Sequence, residues 1–250
     1  MLRYIFILSL FISSSVFGQD LYYTYRGSWI NEKQQAIVIT DNNKMNANSM
    51  LSNHKYDYPY LRFWYQADTI YFNHEYYTGT GEINDLYTFK VKSVSDSFLT
   101  VQPLSDLAQK YFSTTSPIRF IRQDYAVDTS VKFEKLIYNL SSDCFPGPCS
   151  GIYLEINNNK QVYLDLLTYR DLDIVKTRTG SFKSSLNDSL YNVLNHLIQT
   201  CSLASLTFPE KDADDYQVVD LIIYYNGKVK HLSSMVPPVI AHPLLNFLKS

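Results

Sequence analysis

The chain has 250 residues, enough for one large or two small domains, and a formal charge of −2 from 22 basic and 24 acidic residues. That mixed, slightly acidic balance excludes a basic nucleic-acid groove and a polybasic membrane patch. The rings are the unusual feature: 22 Tyr and 14 Phe against 8 Gly, a composition that points to β-sheets.

Residues 1–18 read as a signal peptide. Arg3 supplies the positive start, residues 4–11 are apolar apart from Ser9, and Gly18 is the small residue that a signal peptidase requires. The apolar run is too short to stop in a bilayer, and no cysteine follows Gly18 to carry a lipid. The expectation is an exported chain, periplasmic or extracellular, that starts near Gln19 and keeps no stable membrane anchor.

Residues 19–125 show short strand patterns at 27–30, 36–40, 60–65, 68–72, 85–94, 98–104 and 118–122. Turn signals separate them, among them Asp41-Asn42-Asn43, Gly79-Thr80-Gly81 and Ser95-Asp96-Ser97. Regular spacing of this kind argues for an antiparallel barrel or sandwich. Tyr87, Phe89 and Val91 alternate with Thr88, Lys90 and Lys92, and Leu99 and Val101 flank Thr100, so the apolar set faces inward. The tyrosine-rich stretches 56–60 and 74–77 fall in loops or strand ends. Tyr56, Tyr58, Tyr60, His74, Tyr76 and Tyr77 are therefore candidates for contact with a small ligand, a sugar or a protein partner, beside the simpler reading that they pack.

The order of these pieces carries a resemblance. Gly27 and Trp29 open the set, Thr40-Asp41-Asn42 ends a strand, Tyr65 with Asp68 and Ile70 forms a hairpin, and Phe120 with Arg122 closes it. This order resembles the small bacterial lipocalin-like domains. The resemblance implies a barrel in which Trp29 plugs one end and Arg122, or else Arg119, stacks over the indole. It also implies an interior that either holds a small apolar ligand or is filled by side chains.

Residues 126–130 read as a linker, and 131–250 as an α+β domain. Residues 131–140 alternate as a strand. Cys144-Phe145-Pro146-Gly147-Pro148-Cys149 then forces a tight turn, because proline fixes its φ and glycine admits positive φ. Two cysteines this close in an exported chain read as a disulfide between Cys144 and Cys149. The competing readings are a redox pair, against which stand four intervening residues and a following strand, and a structural zinc, which needs two further ligands. Residues 152–156 and 162–166 flank a hairpin loop at Asn157-Asn158-Asn159-Lys160. Leu186, Leu190, Leu194, Leu197, Ile198 and Cys201 recur at helical spacing across 185–205, with Ser185 and Asp188 as a capping pair. Cys201 lies on that stripe and reads as a buried, unpaired thiol, with a pairing to Cys144 or Cys149 left open. Residues 218–225 turn at Asn226-Gly227 into 228–232, and a closing helix spans 239–248. The layout is an antiparallel sheet with helices on one face.

Cys144, Phe145, Gly147, Cys149 and Tyr153 resemble the Cys-Phe-Gly-x-Cys-Pro core and following tyrosine strand of an exported bacterial domain family of unknown function. The likeness covers about residues 131–249. It departs at the inserted Pro146, at Ser150 where the family has proline, and at Tyr153, which falls one residue late. It implies a domain boundary and no activity.

No catalytic constellation is visible. His54, His74, His196, His231 and His242 form no His-Glu-x-x-His pair, and no nucleophile elbow, phosphate loop or dinucleotide motif occurs. The acidic stretch Glu210, Asp212, Asp214, Asp215 lacks calcium-loop spacing and reads as a solvated loop. The expectation is a β-rich, two-domain exported protein without catalytic, metal or cofactor residues, which binds a small ligand or a protein partner. Two alternatives stand beside it: an envelope or extracellular hydrolase whose site is assembled from distant residues, and a structural or adhesive envelope protein.

Overall fold

The computed structural model describes residues 24–40, 49–53, 57–141, 151–167, 179–209 and 217–250. Eight strands close into an antiparallel barrel in chain order: β1 (Gly27–Ile30), β2 (Ala36–Ile39), β3 (Ser49–Ser52), β4 (Asp57–Gln66), β5 (Thr69–Thr78), β6 (Gly81–Val94), β7 (Phe98–Pro103) and β8 (Ile118–Arg122). The seven expected strands are all present. The eighth, β3, has only the pattern Ser-Met-Leu-Ser, too short to stand out in the sequence.

Alternation fills the barrel. Trp29, Ile37, Ile39, Leu51, Leu61, Phe63, Ile70, Phe72, Phe89, Leu99, Val101 and Phe120 are all fully buried in one core, as is Tyr87 at 3%. The expected inward set from β6 and β7 is borne out, with Val91 packed partly against the same core. A chain of ring contacts runs from Phe63 to Phe72, Phe89, Phe112 and Phe120, with centroids 5.3–6.1 Å apart. Phe112 comes from a helix the sequence reading did not anticipate, α1 (Asp106–Phe112), inserted between β7 and β8. Ser105 caps α1 by accepting from the Ala108 N–H, and Ser113 ends it in the left-handed region. The Tyr111 hydroxyl donates to the Leu51 carbonyl at 2.9 Å, which fixes the helix across one barrel end.

The other end is closed as the resemblance implies. Arg122 lies over the Trp29 ring at 4.4 Å, and the two residues are ladder partners where β1 meets β8. The indole N–H donates to the Tyr25 carbonyl at 2.7 Å. The guanidinium donates to the carbonyls of Asp96, Arg26 and Thr24 at 2.6, 2.7 and 3.1 Å. Gly27 has φ 134°, and a Cβ there would stand 3.0 Å from Arg122 Nη1, so this clasp needs the glycine of the Gly-x-Trp pattern. Arg119 instead lies over Phe98 at 4.9 Å on the surface.

The second half is a six-stranded antiparallel sheet of order β12-β11-β10-β9-β13-β14. Its strands are β9 (Phe133–Leu140), β10 (Gly151–Asn157), β11 (Gln161–Leu167), β12 (Gly180–Ser185), β13 (Val219–Tyr225) and β14 (Lys228–Ser234). Two helices, α2 (Asp188–Thr200) and α3 (His242–Lys249), bury Leu194, Ile198, Leu244, Leu245 and Leu248 in one core with Leu136, Tyr138, Leu154, Ile156, Leu221 and Ile223 of the sheet. Both expected hairpins form. Asn226 and Gly227 take φ 52° and 67°, the pair of left-handed residues that a two-residue turn matched to strand twist requires.

Two expectations are corrected. The cap of α2 is Asn187, whose side chain accepts from the Leu190 N–H at 2.9 Å; Ser185 instead ends the edge strand β12, paired with Gln161. That strand was not anticipated, because Gly-Ser-Phe-Lys-Ser-Ser offers one apolar residue, itself 49% exposed. Cys201 is a free, buried cysteine as expected, and burial pushes its thiol up to about 12. Cys144 and Cys149 lie outside the described residues, as do Tyr56, His54 and the acidic stretch 210–215.

The two halves share a core. Ile30 and Ala36 are buried among the residues of the second sheet and its helices, and Val38, Met50 and Ala126 pack against them. Gln123, 3% exposed, donates to the Ile240 carbonyl at 2.7 Å; Asp128 N–H donates to the Gln199 carbonyl at 3.0 Å. Gln34 donates to the Ser205 carbonyl across the same seam.

Replacing Arg122 by Met leaves three carbonyls without their donor and uncovers the Trp29 face. The expected loss is about 3 kcal/mol, read as a lower urea midpoint. Arg119→Met, on the exposed side of β8, should stay within about 0.5 kcal/mol. Equal losses for the two would remove the special role of the clasp.

Candidate functional site

The sequence-predicted residues of 74–77 do not sit in a loop. They belong to β5, and the reason they stand out is register. β4 pairs with β5 only from Gln66↔Thr69 to Arg62↔Asn73, whereas β5 and β6 stay paired for five more residues, from His74↔Asp85 to Thr78↔Gly81. On its other side β6 joins β7 only from Phe89↔Pro103 onward. Among the described residues, 74–78 and 81–85 thus have ladder partners only in each other and form a two-stranded arm beyond the ends of the β4–β5 and β6–β7 ladders. Residues 77–82 are all exposed. The tip is held by Thr78, whose hydroxyl accepts from the Thr80 N–H at 3.3 Å and donates to the Gly81 carbonyl at 3.1 Å.

Strand alternation sorts the candidates. His74 and Tyr76 share the parity of the buried Ile70 and Phe72, and their rings lie 5.0 Å apart. Glu75 and Tyr77 take the opposite face, where Tyr77 is 81% exposed. His74 and Glu75 therefore present their side chains to opposite sides of the strand. Tyr60 is 72% exposed and sits in β4 at φ 62°, where the β3–β4 register shifts between Ser49↔Leu61 and Leu51↔Tyr58. No ladder pair brings Tyr60 to the arm. Tyr58 lies in the same strand, with its side chain outside the description.

The structure adds residues that the sequence reading missed. On the outer face Glu75 forms an ion pair with Arg62 and accepts from Asn73 Nδ2 at 2.8 Å; the same Asn73 amide reaches Asn84 Oδ1 at 3.3 Å. One row along, Trp64 and Tyr71 stack with centroids 5.2 Å apart and planes 6° off parallel. Both follow from period-two alternation once the β4–β5 register is fixed, and that register was the missing signal. The arrangement braces the base of the arm and leaves its tip, residues 77–82, in solvent. Among the described residues no cluster of three or more His, Cys, Asp or Glu could hold a metal ion. No described helix is long and apolar enough to cross a membrane.

In comparisons with known proteins, no family model, no curated protein and no solved structure matches the chain. The two resemblances therefore rest on the residues that carry them.

A bulky residue at positive φ is costly, and glycine there is not. Tyr60→Gly is expected to raise stability by about 1 kcal/mol in a urea titration. A loss of that size would show that the tyrosine is kept for packing and would withdraw it from the candidate surface.

Proposed function

We propose that this chain is an exported, non-enzymatic binding protein that recognises a protein partner through the β5–β6 arm. The observation that carries the reading is the arm itself: a braced ribbon with its tip and Tyr77 in solvent, on a barrel whose interior is occupied by side chains. Exposed tyrosine suits such a role, because it offers a large, rigid contact area at the cost of ordering only two side-chain torsions.

The barrel reading is that of a short lipocalin-like domain. Its support is the ordered set from Gly27 to Arg122 together with the Trp29–Arg122 clasp at 4.4 Å. The aromatic filling argues against an apolar ligand inside that barrel and favours the partner over the small ligand. Export rests on the signal-peptide pattern of residues 1–18.

The test places a photo-crosslinking amino acid at position 77 and, as a control, at Val229, which is 59% exposed on the far sheet. Irradiation of the producing cells should give a discrete adduct from position 77 alone. The absence of an adduct, or the same adducts from both positions, would overturn the proposal.

A further inference from the structure

The open face of the second sheet carries a cleft of about 340 Å³, lined by Glu155, Asn157, Gln161, Tyr163 and Lys183 among others. These five side chains share one face across three neighbouring strands. Leu154 and Ile156 of β10 are buried on the helix side, so Glu155 and Asn157 point away from it. Tyr163 stands directly opposite Glu155 on one side and Lys183 on the other. The row therefore reads ammonium, aromatic ring, carboxylate.

Each group is held or left free in a way that bears on a ligand. The Tyr163 ring is set by an edge contact with Tyr153, with centroids 6.0 Å apart. Glu155 is already neutralised by Lys135 at 2.8 Å and accepts from the Tyr153 hydroxyl at 3.3 Å. Asn157 spends its Oδ1 on the Gln161 N–H at 3.0 Å, which leaves its amide N–H groups to the cleft. Among the described residues the Gln161 side-chain amide, the Tyr163 hydroxyl and the Lys183 ammonium have no protein partner. The cleft thus offers one ring face, several amide donors and a single uncompensated positive charge.

We propose that this cleft binds a saccharide that carries a carboxylate. The ring takes the apolar C–H face of a pyranose, the Asn157 and Gln161 amides take its hydroxyls, and Lys183 takes the carboxylate by a charge-assisted hydrogen bond. A purely apolar ligand does not fit, since it would strand these donors without partners. A dianionic phosphate fits poorly, because the single free ammonium compensates only one of its two charges. The site lies on the other half of the chain from the arm and does not depend on the partner reading.

The probe is trigalacturonic acid, with its fully methyl-esterified form as the neutral control, titrated into the mature chain by isothermal calorimetry and by amide NMR shifts. Trigalacturonate should bind and move resonances confined to β10, β11 and β12, and the ester should bind about tenfold more weakly. Lys183→Ala, on an exposed edge strand, should erase the difference between acid and ester. Tyr163→Ala should abolish both. No binding of the acid, equal binding of acid and ester, or shifts outside those three strands would overturn the proposal.

Discussion

The structure depends on β1, β2 and β3 being apolar on both faces. Trp29 fills the barrel while its neighbour Ile30 is buried in the other core; Ile37 and Ile39 point in, Ala36 and Val38 point out; Leu51 points in, Met50 out. A strand with one wet face would show alternation, and Ala-Ile-Val-Ile shows none. This wall separates two cores and belongs to both. The sheet and helices of the second half share one core with the outward residues of this wall, so neither half can be removed without exposing apolar surface of its partner.

With one wall committed to the shared core, contact with the outside falls to what remains. The barrel contributes the β5–β6 arm, which exists only because β4 turns away to pair with β3 while β5 and β6 continue. The sheet contributes the face opposite its helices, where polar and aromatic side chains alternate with the buried set. Barrel closure gives the arm a rigid root: the Arg122 clasp at one end and α1 at the other hold it to a packed interior, so the partner proposed above would lose less entropy on binding. In the other core, burial makes Cys201 unreactive, since its thiol is enclosed and its proton held up to about 12.

Much of the fold was legible because local chemistry and tertiary context agree. Asn226-Gly227 needs positive φ at both positions and these residues supply it; Gly27 and Trp29 announce a close approach that Arg122 completes. What was not legible is what register decides. The stretch 74–77 reads as a strand end because polar and aromatic residues mix there, and only the unequal lengths of the β4–β5 and β5–β6 ladders turn it into an arm. α1 escapes notice because seven residues give too little helical periodicity, and β12 because an edge strand can be polar on both faces. The cleft could not be read at all: Glu155, Tyr163 and Lys183 meet only through two ladders, and sequence separation gives no hint of it. The shared core was hidden for a related reason, since the segment 126–130 reads as a linker while Ala126 and Asp128 are held against the second half.

The most direct test of this account follows the two cores separately during urea unfolding. In a Trp64→Phe variant Trp29 is the remaining tryptophan, and its fluorescence reports the barrel. Labelling of Cys201 by a thiol reagent, read by peptide mass spectrometry, reports the other core. One shared wall predicts that both probes move at the same urea concentration in a single transition. Labelling of Cys201 while Trp29 is still native, or the reverse, would show two independent domains and contradict the account.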